Sequence, residues 1–164
     1  RHTRYPLVTG VQTCALPISI DEASLAAASL PWTIRPVWQE TSLLKTKFTN
    51  VAIHEGHAYG LSDGIMECVR LEDGRRRWKG GRYGQGQVLR VGGLILVQAE
   101  SGEVVLVDAD PARHRVRARL DAIAGQTWNN LCLHGSRLLV RNAEEAACYE
   151  LPVVADTAAA EAAP

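Results

Sequence analysis

Residues 51–71 read VAIHEGHAYGLSDGIMECVRL, and this stretch decides the fold. Three short apolar runs alternate with two turns, the first at Gly56 and the second at Asp63-Gly64. Short runs rich in branched aliphatic residues and bounded by Gly and Asp are typical of β-strands. The segment therefore predicts three antiparallel strands joined by two hairpins.

The same pattern of three apolar runs and two turns recurs twice, in VLRVGGLILVQAESGEVVLVD from Val88 and in LCLHGSRLLVRNAEEAACYEL from Leu131. The first turns of the three units contain Gly56, Gly93 and Gly135, and the second turns are Asp63-Gly64, Ser101-Gly102 and Glu144-Glu145. In this register Cys68, Leu106 and Cys148 occupy comparable third-strand positions. We expect all three to be buried, since free cysteine behaves as a small hydrophobe.

A fourth strand completes the middle unit. In HRVRARL, the arginines at 115, 117 and 119 alternate with Val116, Ala118 and Leu120. Such a two-residue period places the arginines on one face of a strand, whereas a helix would spread them around its axis. RRRW, residues 75–78, occupies the matching position one unit earlier. Both are expected to be solvated outer strands.

Units of four short strands repeating about every forty residues are the signature of propeller blades. The sequence thus predicts an all-β chain, a partial β-propeller of four-stranded antiparallel blades. The strands comprise the end of one blade over Ser24–Trp38, two complete blades, and three strands of another that ends at Leu151. About three blades are expected, which leaves the ring incomplete because closed propellers have about 4–8.

The residues LEDGRRRW, Leu71 to Trp78, resemble the repeat of the quinoprotein-like (PQQ-like repeat) propellers. In that family a turn ending in glycine precedes a short strand ending in tryptophan, which docks on the neighbouring blade. The resemblance implies docking roles for Trp38, Gly74 and Trp78. Further stretches resemble a bacterial branch of the family, across residues 21–151: PVWQ at Pro36, LKTKF at Leu44, GGRYGQGQ at Gly80, TWNN at Thr127 and VRNAEEAACYEL at Val140. The middle unit departs from the pattern, because Ala118 or Leu120 must replace the tryptophan there.

The ends of the chain do not follow the repeat. RHTRYPLVTGVQTCALPIS, residues 1–19, resembles a peptide translated from sequencing-adapter DNA in metagenome-derived reading frames. Pro6, Gly10 and Pro17 interrupt any periodicity in it. We expect residues 1–19 to pack poorly on the repeats at 20–151, and residues 152–164 to be a frayed tail. The natural start of the protein is then expected to be missing.

Composition excludes several classes of partner. Eighteen basic residues balance eighteen acidic ones, so no basic face for nucleic acid is expected. Apolar runs are too short for a membrane span. The cysteines at 14, 68, 132 and 148 form no CxxC pair, which argues against a zinc site. His54 and His57 are predicted to be structural, since on a strand and turn they need not face the same way.

A ligand site of an intact ring would lie on one face near the central channel, in loops that join blades. The candidates there are Tyr83, Gln85, Trp128, Asn129, Arg141 and Asn142. Trp128 with Asn129 offers an aromatic platform beside an amide, although packing between blades is an alternative role for Trp128. We interpret GGRYGQGQ as a loop between blades, because no helix follows it as a phosphate loop requires.

Quinone dehydrogenases of the family carry pyrroloquinoline quinone under a disulfide between adjacent cysteines, together with calcium. This chain has no adjacent cysteines, and Asp108 and Asp110 lack companion calcium ligands in the sequence. No cofactor, metal or catalytic residue is therefore expected, and pyrroloquinoline quinone and calcium enter only through the resemblance.

Two functions follow from these observations. The first is a non-catalytic scaffold or binding module of a bacterial envelope protein, with a periplasmic or other extracytoplasmic location implied by the resemblance. The alternative is a fragment of a pyrroloquinoline quinone- and calcium-dependent oxidoreductase. Expected partners are the missing blades of a longer chain and other proteins. Adjacent cysteines and calcium ligands in upstream blades would distinguish the two hypotheses.

Overall fold

A computed structural model describes residues 36–152, and their regular structure consists of strands. The expectations for residues 1–19, for residues 20–35 and for the tail from residue 153 lie outside this range. No helix within residues 36–152 is long and apolar enough to cross a bilayer. The strands are β1 (Ala52–His54), β2 (His57–Ser62), β3 (Ile65–Arg70), β4 (Arg76–Arg82), β5 (Gln87–Val91), β6 (Leu94–Gln98), β7 (Glu103–Asp108), β8 (Val116–Asp121), β9 (Cys132–His134), β10 (Arg137–Arg141) and β11 (Ala146–Glu150).

Each unit of the repeat forms one antiparallel sheet whose strands follow chain order. The first sheet is β1-β2-β3-β4, the second is β5-β6-β7-β8, and the third contains β9, β10 and β11. The predicted fold class is confirmed: the described chain is all-β and forms three propeller-like blades that do not close. Residues 36–38, expected to end an outer strand, are not part of a strand. Pro36 has no amide hydrogen to give to a ladder, and Val37 is 79% exposed.

The sheets stack through their apolar faces. Between the first and second sheets lies a cluster that includes Tyr59, Met66, Ile95, Val97 and Val105, all fully buried. Between the second and third lies another, which includes the buried residues Leu96, Leu131, Leu138 and Val140. Burying one such side chain contributes about 1.5–3 kcal/mol, so these two clusters hold the stack together.

Trp38 and Trp78, which are 40 positions apart, make the same kind of contact. The Trp38 indole Nε1 donates to the carbonyl oxygen of Leu71, 2.6 Å away in the β3–β4 turn, and its ring lies against Gly74. Trp78 Nε1 donates to the carbonyl oxygen of Asp110, 2.8 Å away in the β7–β8 turn of the second sheet. Each indole therefore contacts a turn of the unit that follows it, although Trp78 does not end its strand as expected, since β4 continues to Arg82.

The strand register places Cys68, Leu106 and Cys148 at equivalent positions. Cys68 lies opposite Tyr59 and Trp78, and Leu106 lies opposite Leu96 and Ala118. A register shift follows directly in both sheets, between residues 68 and 69 and between residues 106 and 107. The position of Trp78 is thus taken by Ala118, one of the two replacements considered, whereas Leu120 packs at the edge of the second cluster.

The expected burial is wrong for Cys148. Cys68 is fully buried and Leu106 partly buried, but Cys148 is exposed, as is Cys132. In the third sheet, the face that corresponds to the packed faces of Cys68 and Leu106 has no sheet over it within the described chain. Cys132 and Cys148 flank Leu139, itself 41% exposed, across this open face.

Candidate functional site

The residues that join successive sheets run along one end of the stack. Residues 83–86 connect β4 to β5, and residues 122–131 connect β8 to β9. Tyr83 N donates to the carbonyl oxygen of Gly64 at 2.8 Å, and Glu100 N donates to that of Tyr83 at 2.7 Å. The first linker therefore lies beside the β2–β3 and β6–β7 turns. We call this surface the linker end; all six predicted site residues belong to these linkers or to the border of the β10–β11 turn.

Glu100, in the β6–β7 turn, ties the two linkers together. Its Oε2 accepts from Gln85 N at 2.9 Å, and its Oε1 accepts from Trp128 Nε1 at 2.8 Å and from Gln126 Nε2 at 3.3 Å. Its carbonyl oxygen also accepts from Thr127 N at 2.9 Å. The hydrogen bond from Gln85 N, followed by that from Trp128, holds the pKa of the Glu100 carboxyl below its usual value. The carboxylate is therefore a brace for both linkers.

A glycine allows the first linker to approach this carboxylate. Gly84 has φ +67°, in the left-handed region that glycine adopts without strain. A Cβ at Gly84 would overlap the side chain of Glu100. The glycine-rich stretch around it therefore serves a close contact between a loop and a turn. The interpretation of residues 80–87 as a loop between sheets is correct only for residues 83–86, because residues 80–82 belong to β4 and Gln87 begins β5.

Phe48 and Trp128 form an exposed aromatic pair, called here the aromatic platform. Their ring centroids are 5.6 Å apart and their planes are inclined by 54°. Phe48 is 57% exposed and Trp128 is 46% exposed. These two rings belong to segments 80 residues apart in sequence, so only the fold brings them together.

A buried side-chain amide anchors the backbone that carries the two platform rings. Gln87, at the start of β5 and 4% exposed, donates from Nε2 to the carbonyl oxygen of Trp128 at 2.9 Å and to that of Phe48 at 3.4 Å. The neighbouring Thr49 hydroxyl donates to the carbonyl oxygen of Gly86 at 2.6 Å. Both segments that carry the rings are thus attached to the start of the second sheet. The backbone beside each ring is anchored in this way, and the Trp128 indole is also fixed by its hydrogen bond to Glu100.

Gln98 lies opposite Gln87 and is fully buried. Neither its Nε2 nor its Oε1 has a hydrogen-bond partner within the described residues. Facing pairs across antiparallel strands share one side of the sheet. A second buried amide therefore lies on the same side of the sheet as the one that supports the platform.

Of the predicted site residues other than Trp128, two lie near the platform and one lies in the core between the first two sheets. Gln85 is braced by Glu100, and the partly buried Asn129 follows Trp128 directly, so both belong to the platform region. Tyr83 is 4% exposed, and its Oη lies 2.9 Å from His114 Nε2 inside the first inter-sheet cluster. Burial raises the pKa of Tyr83 and lowers that of His114.

Arg141 and Asn142 do not join the platform. Asn142 Nδ2 donates to the carbonyl oxygen of Ala124 at 2.7 Å, while its Oδ1 accepts from the amides of Glu144 and Glu145, both at 2.9 Å. Its amide thus shapes the β10–β11 turn and ties it to the second linker. Arg141 is exposed. It follows Leu139 by two positions in β10 and therefore lies on the same open face of the third sheet.

Sequence reasoning missed Phe48, Gln87 and Glu100. Phe48 lies within LKTKF, and nothing in the sequence indicates that this stretch contacts Trp128. Glu100 stands before Ser101-Gly102, and an acidic residue in a polar turn is ordinarily solvated. Gln87 could have been suspected, because a polar residue that opens an apolar strand needs hydrogen-bond partners when it is buried.

Asp108 and Asp110 both accept hydrogen bonds from protein groups. Asp108 Oδ1 accepts from Arg117 Nε at 2.6 Å, and Arg115 Nε lies 3.7 Å from Oδ2. Asp110 Oδ1 accepts from Ala112 N at 2.7 Å in the turn. Two arginines therefore pair with the Asp108 carboxylate, and Asp110 shapes its own turn. Across residues 36–152, no group of three or more His, Cys, Asp or Glu side chains could hold a metal ion.

The two histidines of the H-x-x-H spacing lie directly opposite each other on β1 and β2, and so share one side of the hairpin. His57 Nδ1 lies 2.9 Å from the carbonyl oxygen of Glu55, and His54 Nδ1 lies 3.4 Å from Arg90 Nη1. The expectation that they need not face the same way is therefore not met, although both rings have protein partners.

No protein-family model matches this chain, and no curated protein matches it. The function of the linker end therefore has to be derived from its geometry and chemistry. The feature with most to offer a ligand is the aromatic platform, since it is both exposed and held by buried hydrogen bonds.

Proposed function

We propose that the protein is a non-catalytic binding module, a quinoprotein-like propeller segment of a bacterial envelope protein whose recognition surface is the aromatic platform. The family part of the proposal is supported by the two indole contacts. Trp38 and Trp78 each bond a backbone carbonyl in the following unit, as docking tryptophans of that repeat would. In this proposal, further blades would pack on the open face of the third sheet.

The binding part rests on one observation: two large aromatic side chains, Phe48 and Trp128, pack together and are exposed, although Gln87 anchors the backbone of both. Exposed aromatic rings that are rigidly positioned are typical of recognition surfaces, because little side-chain entropy is lost when a partner covers them. Glu100 contributes by fixing the orientation of the Trp128 indole.

The test is a binding screen with the full chain against immobilised peptides, neutral glycans and anionic glycans, followed by interferometry. We expect at least one probe class to bind, and Trp128→Ala to abolish that binding. Leu139→Ala is the matched control, since Leu139 is an exposed apolar residue on the open face of the third sheet. Absence of binding in every class, or binding that Trp128→Ala leaves unchanged, would overturn the proposal.

A further inference from the structure

The chemistry around the aromatic platform restricts what it can bind. The Trp128 Nε1–H already donates to Glu100 at 2.8 Å, so the indole offers its ring face and no free donor. Phe48 likewise offers only a ring face. A ligand must therefore present an apolar surface to both rings and obtain its hydrogen bonds from other groups.

The groups beside the platform are mainly amides. Gln85 is held by its backbone to Glu100, and within the described residues its side-chain amide forms no hydrogen bond. Gln126 uses Nε2 on Glu100, and Asn129 follows Trp128 in the chain. An amide both donates and accepts, so it matches hydroxyl groups, which do the same.

The local charge does not favour an anion. The charge of Lys47 acts on the Glu100 carboxylate, so one basic and one acidic residue lie in this region. Phosphate recognition requires an excess of Lys or Arg, which the platform does not offer. A ligand with apolar ring faces, many hydroxyl groups and no net charge suits this set of residues.

We propose that the aromatic platform binds a neutral oligosaccharide, with the C–H faces of its sugar rings against Phe48 and Trp128 and its hydroxyl groups bonded by Gln85 and Asn129. This inference rests on the proposed binding function. Since the two aromatic planes are inclined by 54°, one flat sugar ring cannot lie on both. Two successive sugar units that are twisted relative to each other can, which makes a chain of several units the better ligand.

The experiment titrates the full chain with maltohexaose, cellohexaose and chitohexaose by calorimetry, and maps contacts by saturation-transfer NMR. A proline-rich decapeptide and oligothymidylate serve as alternative ligands. We expect one hexasaccharide to bind, with the strongest saturation on its ring C–H protons. Phe48→Ala and Trp128→Ala should each weaken its binding about tenfold or more, while Leu139→Ala should leave it unchanged.

Circular dichroism melts identify variants that fail to fold. If Trp128→Ala is unfolded, Phe48→Ala decides the outcome, because the Phe48 ring is the more exposed of the two. Failure of all three hexasaccharides to bind, or equal binding by the folded platform variants, overturns the saccharide proposal. Trp128-dependent binding of the peptide alone would overturn it while supporting the wider binding function, and a lack of any binding would overturn both.

Discussion

Trp78 and Ala118 occupy the same position in two successive sheets, the first opposite Cys68 and the second opposite Leu106. Only Trp78 can reach across to a turn of the following sheet, where it bonds the carbonyl oxygen of Asp110 at 2.8 Å. Ala118 is exposed and makes no comparable contact within the described residues. The contacts of the outer strands therefore differ between the two interfaces.

Two replacements of Trp78 should weaken the interface between the first and second sheets to different extents. Trp78→Phe keeps an aromatic ring beside Tyr59 and His114 but loses the hydrogen bond to Asp110, which should lower the free energy of unfolding by about 1 kcal/mol. Trp78→Ala removes the ring as well and should cost about 3 kcal/mol or more. Urea unfolding measures both, and an unchanged midpoint for Trp78→Ala would contradict the docking role.

Two glycines with ordinary backbone angles provide a matched pair. A Cβ at Gly86 would overlap the carbonyl oxygen of Gln98, whereas a Cβ at Gly93 would meet only His54 Nε2 at 3.9 Å. Gly86→Ala should therefore destabilise the protein by about 2 kcal/mol or more, and Gly93→Ala should be within about 1 kcal/mol of the parent. Thermal unfolding compares them. Equal melting temperatures would be inconsistent with the close contact between β6 and the first linker.

Thiol reactivity should separate the cysteines by sheet. Cys132 and Cys148 are exposed, whereas Cys68 is buried and its pKa is raised to about 11, chiefly by burial. In a Cys14→Ser background, a thiol reagent near neutral pH should modify two cysteines quickly and the third only after unfolding. Mass spectrometry of the labelled peptides identifies the sites. Rapid labelling of Cys68 in folded protein would contradict the stacking of the first two sheets.

The burial of His114 should make stability depend on pH. Its pKa is lowered from the usual 6.5, first by burial and then by the charge of Arg119. The unfolded chain then binds the proton more readily, so this contribution to stability is complete above 6.5 and is lost as pH falls through the lowered value. His114→Phe removes the titrating group and should lose less stability than the parent between about pH 8 and about pH 5. Urea unfolding at several pH values gives the two slopes, and parallel slopes would contradict the prediction.

The fold could be predicted because its determinants are local. Apolar runs with a two-residue period and turns at fixed offsets specify each hairpin, and residues 51–71 contain two complete examples. The spacing of Trp38 and Trp78 also reports a contact that repeats with the unit. Cys148 shows the limit of this reasoning, since equivalent positions in a repeat are equally buried only when each has a neighbouring sheet.

The candidate site could be predicted only in part. Trp128 and Gln85 lie in linkers, where sequence reasoning places ligand contacts. Phe48 joins them from a segment 80 residues earlier, and Glu100 gains its role from three donors on two different linkers. Such long-range pairings depend on how sheets stack, which no local pattern specifies.

The third sheet has one open face, on which Leu139 lies between Cys132 and Cys148. Its stability should therefore differ from that of the other sheets. The first and third sheets each share one apolar cluster with the second, but the hydrogen bond from Trp78 to Asp110 reinforces only the first interface, since Ala118 takes the equivalent position at the second. Unfolding of the third sheet alone should therefore require less free energy than unfolding of either other sheet. The first two sheets can remain assembled while it occurs. Unfolding is therefore expected to begin with strands β9 to β11 and to reach the first two sheets later.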